Sequence, residues 1–353
     1  MIKSRSAIAL PSHLTSLCEK WINAVHLKSE IHSDFKRMKE LNKEKNQIIE
    51  FGSRETIAYI AAYFPSIFSQ NYTVLNQVNN KSHYTSVLDA GCGIGTSLMA
   101  LNELQFNFTE MNAYDYSEEM LMKCREYSEM ANLPIKVATT LPKTRQDLVV
   151  ASHFVSSLPM NLRSTVLDEL WKLTTKTMVI IDKGDQDMFR EIAEFRNRAI
   201  KSGSVVAPCT HNKPCPLLLA MKSGIKTWCH FPQKTIRPQF TKKTKNSVNE
   251  IENTKYTYLI MNKNEFEETL PIQSTIKEDP RIISNPLKRG GHVLLDICED
   301  GISKRVTVVK SFGKDIYKDA RKSKWGMVWP HHYKTIIKQY PAEIKEIDER
   351  VAE

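Results

Sequence analysis

Three of the chain's seven cysteines, Cys209, Cys215 and Cys229, fall within one proline-punctuated stretch, APCTHNKPCPLLLAMKSGIKTWCHF, residues 207–231. Thiolates at such spacings can converge on one soft metal centre, and prolines stiffen the loop between them without adding N–H donors. Four-coordinate zinc needs four ligands, and a cubane iron–sulfur cluster usually needs four thiolates. Three cysteines therefore leave an open position or a distant partner. Cys298 is the candidate fourth ligand: it ends the strand-like run GHVLLDIC, just before the turn residues Asp300 and Gly301, and His211 or His230 could substitute for it. The spacings do not fit a CxxC knuckle and do not separate zinc from iron–sulfur; ordinary buried or surface thiols are the plain alternative. Cys18, Cys92 and Cys124 sit on or beside regular elements and read as packing residues. An odd cysteine count without a secretory signal argues against a disulfide scaffold and for a reducing compartment.

A second chemistry is written in VLDAGCGIGTSLMA, residues 87–100, a buried strand, a glycine-rich turn and the start of a helix. Gly91, Gly93 and Gly95 permit the backbone torsions that bring a ligand against main-chain N–H groups, and Thr96 is placed to cap the helix. The pattern is GxGxG, with Asp89 inside the strand. Asp115 follows twenty residues after Gly95, at the end of the next strand, where a carboxylate can accept both hydroxyls of a ribose. This combination resembles class I S-adenosylmethionine-dependent methyltransferases. The resemblance implies that Asp89, Gly91, Gly93 and Gly95 wrap the methionine part of the cofactor and that Asp115 holds its ribose. The loop ASHFVSSLP, residues 151–159, lacks both the Asn/Asp-Pro-Pro-aromatic signature of amino-group methylation and a Pro-Cys nucleophile. His153 could serve as a base, although a strand-end histidine is more often structural. The catalytic residues stay unassigned.

The elements that must position these residues follow from hydrophobic periodicity. Helical spacing in LTSLCEKWINAV and IAYIAAYFPSIFSQ, around the charged middle KSEIHSDFKRMKELNKEKNQIIEF, predicts a helical N-terminal region, 1–80, of three helices. Short apolar runs then alternate with helical segments at 96–104, 117–131, 161–173 and 185–202. That rhythm predicts an α/β, doubly wound, Rossmann-like sheet over 81–203, with the ligand at the strand C-termini. The third segment, 204–353, holds the cysteines, a polar stretch QKTIRPQFTKKTKNSVNEIENTK read as a loop, late strands with a hairpin across EDG, and a basic tail.

A formal charge of +10 favours a polyanionic partner. The tail gathers Lys304, Arg305, Lys310, Lys314, Lys318, Arg321, Lys322 and Lys324, with Tyr317, Trp325 and Trp329 among or beside them. Basic groups supply salt-dependent phosphate attraction, and aromatic faces can stack on unpaired bases. Lys304, Arg305, Lys318, Arg321, Lys322 and Lys324 are taken as the RNA-facing set. No apolar run reaches the roughly 18 residues of a membrane-spanning helix, so no membrane partner is expected, nor is DNA. Lys3 and Arg5, with no acid before Glu19, would suit a short organelle-targeting segment.

The segments APCTHNKPCP, WCHF, RIISNPLKRGGHVLLDICEDG and VTVVKSFGKDIYKDARKSKWG are similar to the mitochondrial methyltransferase-like protein 17 family, which includes methyltransferase-like proteins of the mitoribosomal small subunit. The likeness runs from RETIAYIAAYFPSIF to WGMVWP. This chain departs from the family where THN replaces a common Pro-His and where Met327 replaces the acid usual after WG. The resemblance implies a 4Fe-4S cluster on Cys209, Cys215, Cys229 and Cys298, with zinc as the alternative. It also implies a matrix protein acting on small-subunit rRNA and ribosomal proteins, in assembly or as a bound component. The alternatives are an active rRNA methyltransferase and a zinc-stabilised small-molecule methyltransferase.

Overall fold

The computed structural model describes residues 7–25, 30–41, 52–269 and 279–331. Lys3 and Arg5 of the targeting expectation, and part of the charged N-terminal middle, lie outside them. The described residues form two compact units, one up to Lys183 together with Gln233–Tyr256, the other on Gly184–Pro232 and the described residues from Thr257 to His331.

In the first unit three helices, α1 (Ser12–Val25), α2 (Ile31–Leu41) and α3 (Ser53–Leu75), precede β1 (Ser86–Ala90). Then come α4 (Thr96–Glu103), β2 (Glu110–Tyr114), α5 (Glu118–Ala131), β3 (Ile135–Ala138), β4 (Gln146–Ser152), α6 (Met160–Leu173) and β5 (Thr174–Lys183). These strands pair in the order β3-β2-β1-β4-β5, all parallel. Parallel strands need crossovers, which the intervening helices supply; outward growth on both sides of β1 is the doubly wound arrangement, with its ligand crevice at the C-terminal ends of β1 and β4. Val87, Leu88 and Ala90 of β1 and Leu148–Ala151 of β4 are buried on both faces, as central parallel strands must be. The N-terminal helices share this unit: Asn71 on α3 donates to Ser97 Oγ (3.2 Å) and accepts from Ser152 Oγ (2.7 Å), so α3 is tied to the start of α4 and the end of β4.

The chain continues through α7 (Gln186–Ala199), β6 (Gly203–Ala207), α8 (Pro216–Lys222), β7 (Phe231–Ile236), α9 (Gln239–Lys245) and β8 (Ile251–Lys263). The stretch read as a loop from its polarity is therefore mostly ordered. Phe231, Gln233 and Thr235 alternate inward along β7, while Phe240, Thr241 and Thr244 bury one face of α9, with Thr241 Oγ1 donating to the Ala61 carbonyl (2.7 Å). Hydroxyls bonded within the fold fill positions that composition alone marks as solvent-facing.

In the second unit β6 runs antiparallel to the end of β8, pairing Gly203 with Lys263 and Val205 with Met261. After α10 (Asn264–Glu267) come β9 (Arg281–Ile282), β10 (Leu287–Lys288), β11 (His292–Glu299), β12 (Ile302–Val309) and α11 (Lys314–Lys322). β11 and β12 form the expected hairpin, pairing Cys298 with Ser303 across a turn in which Asp300 and Gly301 both take positive φ. Side chains alternate faces along a strand. Val293, Leu295, Ile297, Val306 and Val308 form a core with Ile316 and Ala320 of α11 and with Trp329, leaving Leu294, Asp296 and Cys298 on the other face. No described helix is long and apolar enough to cross a membrane.

Candidate functional site

The glycine loop and the acid after β2 meet in the first unit around a cavity of about 90 Å³, lined by Gly91, Gly93, Asp115 and His153 among others. Asp115 closes the loop: its Oδ2 accepts from the Gly93 amide (2.8 Å) and its Oδ1 from the Ser117 amide (3.0 Å). Burial raises its carboxyl, opposed by the amides of Ser117, Gly93 and Tyr116. Gly91 has φ +66°, and a Cβ there would fall 2.1 Å from the Phe154 ring. Gly93 has φ +53°, but its Cβ position has no neighbour within 4 Å among the described residues.

Gly95 and Asp89 take other places. Gly95, at φ +85°, occupies the cap position given above to Thr96, which instead begins α4; a Cβ on Gly95 would meet Cys124 Sγ at 3.0 Å. Asp89 does not line the cavity. It is fully buried beneath the loop with neither oxygen in a well-formed hydrogen bond. Burial pushes its carboxyl up to about 7, countered by the nearby Ser97 hydroxyl and reinforced by the Asp115 charge. Cys18, Cys92 and Cys124 are all buried packing residues.

His153 leaves β4 at φ +53°, a conformation rare outside glycine. Its Nε2 lies 2.7 Å from Gln70 Oε1, and the Gln70 amide nitrogen donates to Thr254 Oγ1 (2.9 Å). Nε2 therefore carries the proton and Nδ1 the lone pair. Burial lowers the His153 pKa and so favours the neutral ring. Tyr59, which also lines the cavity, and Gln70 come from α3, whose sequence signals only an apolar helix.

The second unit brings together all four proposed thiols. Cys209, Cys215, Cys229 and Cys298 line one cavity of about 50 Å³ with apolar walls that include Phe189, Ile192 and Leu217. Each is placed by a different element. Cys209 follows β6, and Cys215 caps α8, with Pro216 at the first helical position, where a missing N–H costs nothing. Cys229 immediately precedes β7, and Cys298 projects from the face of β11 that α11 leaves open. Cys215 is buried and the other three are partly buried. Their mutual proximity is electrostatically legible. Burial, then Cys209, pushes Cys215 up to about 11. Burial, then Cys209, Cys215 and Cys298, holds Cys229 well above its usual range. Cys298 is raised by burial and then by Cys209 and Cys215. Among the described residues, no three Cys, His, Asp or Glu side chains stand close enough to chelate a single ion.

Two arginines that sequence reasoning missed line the same cavity, Arg196 from α7 and Arg281 from β9. They are only 2% and 6% exposed, and among the described residues neither forms an ion pair with a carboxylate. Arg196 Nη2 donates to the His211 carbonyl (2.7 Å), Arg281 Nε to the Pro208 carbonyl (2.8 Å) and Arg281 Nη1 to the Gly326 carbonyl (2.9 Å). Of the substitute ligands, His211 places Nε2 3.5 Å from Cys298 Sγ, while His230 stacks on Trp228 and abuts Trp325. Burial, then Arg196, lowers the His211 pKa to about 4.

The basic set divides. Lys318, Arg321, Lys322 and Lys324 are exposed on or just after α11, whose Ile316 and Ala320 face the core. Lys304 and Arg305 point to opposite faces of β12; Lys304 pairs with Glu299, and Arg305 makes a two-pronged bond to Asp296 (2.7 and 3.0 Å). Trp329, named among the stacking candidates, is instead 1% exposed in the hairpin core.

A family model described as Rsm22, mitochondrial small ribosomal subunit Rsm22, matches residues 53–330. Among curated proteins the chain is similar to Rsm22-cox11 tandem protein 2, mitochondrial, of Schizosaccharomyces pombe, with 26% identity over 328 residues covering 78% of this chain and 43% of that protein. It is similar to the ribosome assembly protein RSM22, mitochondrial, of Saccharomyces cerevisiae, with 30% identity over 191 residues, 38% of this chain and 30% of that protein. It is also similar to the ribosome assembly protein METTL17, mitochondrial, of Homo sapiens, with 29% identity over 202 residues, 54% of this chain and 40% of that protein. The chain spans less than half the length of each of these relatives. With its doubly wound unit and a match over most of its length, the chain belongs to the Rsm22 family of the mitochondrial small ribosomal subunit.

Proposed function

We propose that this chain is a mitochondrial matrix protein that binds small-subunit rRNA during assembly of the small ribosomal subunit, with S-adenosylmethionine in the glycine-loop cavity and a 4Fe-4S cluster on Cys209, Cys215, Cys229 and Cys298. The observation that carries the reading is the meeting of four thiols, from residues 209 to 298, in one apolar cavity beside two buried arginines. The family's description and the relatives named for ribosome assembly supply the setting.

The same four thiols would suit zinc. They also fit a cubane cluster, with four cysteine sulfurs lining one apolar cavity. When bound, it would supply one-electron chemistry and a covalent clamp. The chain's own contribution is to gather Cys209, Cys215 and Cys229 from around β6, α8 and β7 onto the open face of β11, coupling that arrangement to folding.

At the other cavity Asp115 fixes the loop by accepting from the Gly93 amide, and the space at the Cβ position of Gly93 is open. S-adenosylmethionine would supply a methyl electrophile there. A second reading, active rRNA methylation, is favoured by the neutral His153 lining that cavity with Nδ1 free of its Gln70 bond. The test substitutes Asp115→Ala together with Gly93→Arg, then measures both methylation of small-subunit RNA and subunit assembly. Assembly that persists without bound cofactor supports the scaffold. Assembly lost in step with methylation supports the enzyme, and wild-type protein that fails to hold the RNA at moderate salt overturns both.

A further inference from the structure

Burying a guanidinium costs several kcal/mol unless a counter-charge compensates it. The four-thiol cavity buries two, and its lining contains no Asp or Glu. Carbonyl bonds from His211, Pro208 and Gly326 satisfy individual N–H groups but bring no negative charge. Arg196 Nε, moreover, has no hydrogen-bond partner among the described residues. Among the described residues lining the cavity, the cysteines are the most acidic groups. Four thiolates on a dicationic core leave two net negative charges, which two guanidiniums balance.

His211 joins this arrangement between Arg196 and Cys298. Its Nδ1 lies 3.5 Å from Arg196 Nη2 and its Nε2 lies 3.5 Å from Cys298 Sγ. A guanidinium has donors only, so the tautomer that accepts from Arg196 at Nδ1 carries its proton on Nε2, at an ordinary length for an N–H bond to sulfur. Arg281 lies directly across the β9–β11 ladder from Cys298 and holds the carbonyl of Pro208, the residue before Cys209. Arg281 thus touches the backbone beside Cys209 and sits across the ladder from Cys298, while Arg196 holds the carbonyl of His211, two residues after Cys209, and lines the same cavity.

Resting on the cluster reading above, we infer that Arg196, Arg281 and His211 are the positioning residues of the thiolate centre: two buried cations that balance its charge, and one N–H aimed at the Cys298 sulfur. Cations and N–H donors beside cluster sulfurs stabilise the more negative, reduced state and so raise the reduction potential.

The test uses the full chain purified anaerobically, with iron and acid-labile sulfide assayed and the potential titrated optically. Arg196→Gln, Arg281→Gln and His211→Leu are each expected to shift the potential to a more negative value and to shorten the cluster's lifetime against a chelator. Arg196→Lys and Arg281→Lys keep the charge, and His211→Gln keeps an N–H donor; these are expected to recover most of the shift. Loaded Gln and Leu variants with wild-type potential and lifetime would overturn the inference and leave the cluster reading intact. Loss of the cluster from the charge-removing and charge-keeping variants alike would also overturn it, since that marks a purely structural role. Wild-type protein without iron or sulfide would overturn the cluster reading itself and this inference with it.

Discussion

Gly91 and Gly93 share a positive φ but are glycine for different reasons. At Gly91 an added methyl would enter the Phe154 ring; at Gly93 it would enter empty space. Gly91→Ala combines backbone strain with overpacking and is expected to destabilise the unit by about 2–5 kcal/mol. Gly93→Ala carries only the strain, about 1–2 kcal/mol, and its main effect is expected to be weakened S-adenosylmethionine binding. Denaturant unfolding and calorimetric titration separate the two, and equal stability losses would contradict the account. Asp89 gives a pH signature. Its carboxyl is raised from 3.8 to about 7 in the fold, so its contribution is complete below about 4 and is lost as pH rises through about 7. Stability should fall across that window by up to about 1.4 kcal/mol per pH unit from this group, and Asp89→Asn should flatten the slope. The glycine spacing and Asp115 were readable because a loop that approaches a ligand dictates residue type. The two arginines were not, because Arg196 stands among the other charges of α7 and Arg281 in a two-residue strand, and each looks like any surface charge until the fold shows what lies beside it.

The hairpin β11–β12 works at the scale of elements, as a sheet with two separate duties. Its inner face, through Val293, Leu295 and Ile297, holds α11 and Trp329; its outer face presents Cys298. Trp329→Ala is expected to cost about 3–5 kcal/mol, measured by denaturant unfolding of the metal-free protein. Cys298→Ser should cost far less in that state, since it removes a cavity-facing thiol without opening the core. A Trp329 variant of near wild-type stability would contradict the placement of this tryptophan in the core. Sequence periodicity located these strands, since alternation of apolar and polar residues survives in both. It misread residues 233–255, where Gln233, Thr235, Thr241 and Thr244 are buried with their polar atoms bonded inside the fold. Side-chain hydroxyls that back-bond to helix carbonyls, as Thr244 does to Phe240, leave no trace in an apolar pattern.

For the whole molecule, the sequence announces two chemistries, and each lies in its own compact unit: the glycine-loop cavity in the doubly wound unit, the four thiols in the other. The parallel, doubly wound character of β1–β5 was legible because strand–helix alternation permits few topologies. The convergence of Cys209, Cys215 and Cys229 with Cys298 was not fixed by spacing; it depends on which face of β11 the core claims. The excess of positive charge is spread: Lys318, Arg321, Lys322 and Lys324 are exposed on or after α11, while Lys304 and Arg305 are engaged with acids of their own hairpin. The central claim, that these four thiols hold an iron–sulfur cluster, is tested most directly by assaying iron and acid-labile sulfide in anaerobically purified wild-type and Cys298→Ser protein. The account predicts about four of each per wild-type chain, with broad absorbance near about 400 nm, and loss of both from the variant. Colourless wild-type protein carrying about one zinc per chain, or a Cys298→Ser protein that keeps its full iron and sulfide, would contradict it.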